Sequence, residues 1–148
     1  GSQEATWTLN RAQLNALTAT KVNLLSSPGS GKCIVVEDSN WLIEVDLTKA
    51  AQTTQVMLTC EIASLESIYK VATQITSTNL NDIAGSVKTS NDGAFGMYSR
   101  QPQLDKISKF NEPMTLYKTG GAAGDDFPDN FVSVKIKIKY RVWDSTTF

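Results

Sequence analysis

From Val132 to Val142 the chain alternates. Val132, Val134, Ile136, Ile138, Tyr140 and Val142 fall on one side, while Ser133, Lys135, Lys137, Lys139 and Arg141 fall on the other. A strand sends successive side chains to opposite faces, whereas a helix would scatter a period of two around its circumference. The segment therefore predicts a long strand, apolar toward a core and basic toward solvent. Such a strand needs a second layer to cover its apolar face.

Other segments supply that layer. Lys32 to Glu37 is a compact apolar run suited to a buried strand. Trp41 to Leu47 alternates, with Trp41, Ile43 and Val45 on one face and Leu42, Glu44 and Asp46 on the other. Thr6 to Leu9, Thr54 to Cys60, Ile68 to Ile75 and Met114 to Tyr117 are further strand candidates. Helix is scarce. Asn10 can cap a short helix from Arg11 to Leu17 that buries Leu14 and Leu17. Leu104 to Phe110 has room for a turn or two, and Ala63 to Glu66 fits either state.

Turn chemistry falls between the runs. Ser27-Pro28-Gly29-Ser30-Gly31 predicts a tight connection, Asp38-Ser39-Asn40 a short hairpin-like link, and Asn91-Asp92-Gly93 a turn. Gly120 to Asp126 predicts a flexible loop, and the polar stretch from Thr76 to Gln103 predicts long loops between sheets. No internal repeat is visible. The expected fold is all-β, an antiparallel β-sandwich or jelly roll with one short N-terminal helix. Its 148 residues suit a single domain over 3–148, with Gly1-Ser2 reading as a cloning scar.

Composition narrows the chemistry. The chain has no histidine, so no Ser-His-Asp or Cys-His site can be built within it. A net charge of -1 gives no global attraction to nucleic acid or to an anionic membrane, and neither is expected as a partner. Cys33 and Cys60 sit in strand-like runs and read as small apolar core residues, with a single disulfide left open.

Four constellations invite functional readings. Ser27-Pro28-Gly29-Ser30-Gly31-Lys32-Cys33 is similar to a phosphate-binding loop, but Ser26 stands where its first glycine belongs. Cys33 stands where the magnesium-binding hydroxyl belongs, and a strand follows instead of a helix. An ordinary turn is expected. Asp125, Asp126 and Asp129 lack the spacing of a calcium loop, so no metal or cofactor is expected. Glu44 and Asp46 share a strand face, where two carboxylates are usually solvated. The stripe Lys135, Lys137, Lys139 and Arg141 reads as a solvated or edge-protecting face. A subunit contact with Glu44 and Asp46 is the alternative. Trp7, Trp41 and Trp143 read as core or subunit anchors.

Three separated segments carry a family likeness. The first runs Leu14-Asn15-Ala16-Leu17, Thr20-Lys21-Val22-Asn23-Leu24 and Pro28-Gly29-Ser30-Gly31-Lys32, ending in Ile34-Val35-Val36. The second is Asn111-Glu112-Pro113-Met114, with Met114 in place of the usual Leu. The third is Tyr140-Arg141-Val142-Trp143-Asp144, preceded by the Gly/Asp-rich run from Gly120 to Asp129. Together they resemble a group of small structural proteins of tailed-bacteriophage virions, at both ends of the chain but not in its middle. The resemblance implies a non-enzymatic, trimeric β-sandwich that decorates the capsid, forms a head fibre or joins the tail. It would assemble in the host cytoplasm and reside in the virion, against itself and other capsid or tail proteins. Expected interface residues are Leu14, Leu17, Trp41, Glu44, Asp46, Lys135, Lys137, Lys139, Arg141 and Trp143. The alternative is a carbohydrate- or receptor-binding module with Trp41 or Tyr98 as its platform.

Overall fold

A computed structural model describes residues 1–18, 20–49, 57–63, 68–75, 93–100, 109–119, 126, 127 and 129–147. Its elements are β1 (Gln3–Asn10), α1 (Arg11–Asn15), β2 (Val22–Leu25), β3 (Lys32–Asp46), β4 (Met57–Ala63), β5 (Ile68–Ile75), β6 (Gly93–Arg100), β7 (Met114–Thr119) and β8 (Phe131–Asp144). A short 3-10 turn, Ser145–Thr147, follows β8. The strands form two four-stranded sheets, in the orders β1-β8-β3-β6 and β2-β7-β4-β5.

These orders follow one rule. β1 pairs with β8, β2 with β7, β3 with β6 and β4 with β5, all antiparallel. This is a chain folded in half between β4 and β5. Wrapping that ribbon brings β8 beside β3 and β7 beside β4, again antiparallel. The result is an eight-stranded jelly roll. The fold is all-β with one short helix, as the alternation predicts.

The core lies between the sheets. The first contributes Ile34, Val36, Trp41, Ile43, Val45, Phe131, Val134, Ile136 and Ile138, and the second Leu58, Cys60, Ile62, Met114 and Leu116. Leu14 from α1 and Phe127 from the β7–β8 connection join the same cluster. Burying each large aliphatic or aromatic side chain contributes roughly 1.5–3 kcal/mol.

Several expectations need correction. Asp38-Ser39-Asn40 is no hairpin link, because β3 runs unbroken for 15 residues. A bulge between Val36 and Asp38 inserts one extra residue, so inward positions change from Ile34 and Val36 to Ser39, Trp41, Ile43 and Val45. That change of parity makes one strand read as two. A second bulge, between Glu44 and Val45, pairs them with Ser133 and Phe131 and skips Val132. Phe131 therefore turns inward and Val132 is exposed, contrary to the simple alternation. β6 lies inside the stretch read as loops. The helix stops at Asn15, with Ala16 as its C-cap, so Leu17 packs beside the core rather than within the helix. Asn10 caps it as expected, in a reciprocal capping box with Gln13. Lys109 and Phe110 are not helical. Residues 54–56, 64–66, 91–92, 104–108 and 120–125 lie outside the described residues.

Candidate functional site

The outer face of the β1-β8-β3-β6 sheet is a lattice of opposite charges. Lys135, Lys137, Lys139 and Arg141 stand in a column along β8, flanked by β1 and β3. Lys137 Nζ lies 3.4 Å from Glu4 on β1, and Lys139 Nζ lies 3.9 Å from Glu37 on β3. Arg141 donates to Glu37 as well. Hydrogen bonds from Arg141 and then from Ser2 hold the Glu37 carboxyl below its ordinary value. Within the chain, Lys137 pairs with Glu4, and Lys139 and Arg141 pair with Glu37. Ser133 donates to Glu44 over 3.4 Å, and Asp46 accepts from the Thr48 hydroxyl and then from its amide, which lower its pKa. Glu4 and Glu37 offset part of the column's positive charge.

Parts of the three segments that carry the resemblance meet, although they stand far apart in the chain. They do so at one end of the roll, where the β2–β3 loop, the approach to β7 and the end of β8 close together. The Gly29 N–H donates to Asn111 Oδ1 at 2.9 Å, and the Asn111 N–H donates to the Lys32 carbonyl at 2.7 Å. The Ser145 N–H donates to the Gly31 carbonyl at 2.9 Å, and Lys32 stands opposite Asp144 in the β3–β8 ladder. Asn111 adopts φ 59° and Gly31 φ 72°. A Cβ on Gly31 would lie 2.9 Å from Ser145 Oγ, a side-chain end that can turn aside, so it is the positive φ that calls for glycine there. With the Gly29 N–H committed to Asn111 and Lys32 opening a strand, the loop is the expected turn and not a phosphate cradle.

This end also exposes large apolar side chains. Phe110 is 53% exposed, Trp143 43% and Val142 38%. A shallow groove beside Gly1 is lined by Arg141, Val142, Trp143 and Asp144. The Thr146 amide and then its hydroxyl donate to Asp144, lowering that carboxyl.

The opposite end is tied by polar contacts. Arg11 donates to the Phe127 carbonyl at 3.0 Å and pairs with Asp129 at 2.9 Å. Asn15 Oδ1 accepts from the Phe127 N–H, and the Asp46 N–H donates to the Asn130 carbonyl. Asp129 is therefore engaged by a cation. No group of three metal-ligating side chains occurs among the described residues.

A third cluster lies on the second sheet. Glu61 points away from the core on β4 yet is 1% exposed. Lys21 Nζ lies 2.6 Å from its Oε1, off the angle of a hydrogen bond, and the Tyr117 hydroxyl donates to Oε2 at 3.0 Å. Lys21 also sits 5.4 Å from the centre of the Tyr117 ring. Burial first, and then the bond to Glu61, push the Tyr117 hydroxyl up to about 12.

The expected interface residues divide. Leu14 and Trp41 are fully buried in the chain's own core, so neither can contact a partner. Trp41 Nε1 donates to the buried Ser39 hydroxyl, which satisfies its polar edge inside the fold. The same burial removes Trp41 as a sugar platform. Leu17 is half-buried against the core. Lys135, Lys137, Lys139, Arg141 and Trp143 are exposed, and Glu44 and Asp46 are half-buried. Cys33 and Cys60 are buried free thiols, and burial raises the Cys60 thiol. Asn111 and Lys21 stand among the residues of the resemblance without an expected role, and Glu61 and Tyr117 have none either. Glu61, a lone carboxylate within an apolar strand, was the available signal. No family model and no curated protein matches the chain.

Proposed function

We propose that the chain is a non-enzymatic structural protein of a bacteriophage virion, a trimeric capsid-decoration or head-fibre-type protein. It assembles in the host cytoplasm and docks on other capsid or tail proteins. The observation that carries this reading is that one part of each resembling segment meets the others at one end of the roll, through the Gly29–Asn111 and Asn111–Lys32 hydrogen bonds and the pairing of Lys32 with Asp144. A likeness confined to short motifs gains weight where parts of those motifs meet in space. The jelly roll supports it by analogy, since capsid domains often use this fold. Exposed Phe110, Val142 and Trp143 give that end an apolar surface suited to protein contact.

Light scattering after gel filtration tests the reading. A mass of three chains is expected, and a monomer at every concentration would overturn the trimer. A Trp143→Glu variant that folds but no longer trimerises would place the subunit contact at the motif end. The carbohydrate-binding alternative loses Trp41 as a platform and keeps Tyr98, whose side chain lies outside the described residues, and glycan-array binding that Tyr98→Ala abolishes would favour it over assembly.

A further inference from the structure

We draw no further inference here: the strongest candidate, the shallow groove beside Gly1 where Arg141 to Asp144 of β8 run past the end of β1, carries nothing because nothing in the structure shows what covers it.

Discussion

Asn111 holds Gly29 across 82 positions of chain, accepting its N–H at Oδ1 while donating its own N–H to the Lys32 carbonyl. Two hydrogen bonds thus tie the β2–β3 loop to the approach of β7. The left-handed backbone of Asn111 is one that asparagine tolerates better than most residues. Asn111→Ala removes the acceptor and strains the backbone, and should cost about 1–3 kcal/mol. Asn111→Gly removes only the acceptor and should cost less. Urea unfolding of the two variants checks the order. Equal losses would contradict the backbone contribution.

Gly31→Ala meets Ser145 Oγ and a positive φ together. The expected loss is about 1–2 kcal/mol. Because the exposed Ser145 hydroxyl can swing aside, adding Ser145→Ala should recover little and leave the backbone part. Thermal unfolding of the single and double variants separates the steric from the backbone part.

Lys21 is the cation beside the buried Glu61 carboxylate. Lys21→Met should destabilise by about 1–3 kcal/mol, less than for a wholly buried pair because Lys21 is half exposed. Lys21→Met combined with Glu61→Gln should recover much of the loss. A double-mutant cycle measures the coupling, and strict additivity would contradict the pairing.

Tyr117 has a raised hydroxyl pKa in the folded chain, so it stays protonated to about pH 12 while the unfolded chain ionises near its ordinary value. Its contribution to stability is complete below about pH 10 and is lost as pH rises toward 12. Unfolding temperature measured from pH 8 upward should fall over that window. Tyr117→Phe should flatten the fall, and an unchanged slope would contradict the assignment.

Ile136 is fully buried at the centre of β8, while Lys137 beside it is exposed. Ile136→Asp places an unpaired charge in the core and should prevent folding. Lys137→Ala should stay within about 0.5 kcal/mol of the parent. Soluble expression and circular dichroism compare them.

The sequence by itself determined the strand class and most of the faces. Period two at Val134, Ile136 and Ile138, and again at Trp41, Ile43 and Val45, left no other way to bury those side chains. The Asn10 cap was legible because its partner, Gln13, lies within one turn. Only the tertiary structure decided what depends on distant chain. The bulge at Glu37 joins two apparent strands into β3, and no local pattern marks an extra residue that the β8 ladder alone reveals. Trp41 could read as an anchor or a platform until both sheets closed over it. The partners of the basic column, Glu4 and Glu37, stand far from it in sequence and meet it only through β1 and β3. The meeting of Gly29, Asn111 and Ser145 likewise needs the ribbon to fold in half and wrap. Periodicity is fixed by the backbone repeat of a few residues. Register, bulges and the company a side chain keeps are fixed by chain that arrives from elsewhere.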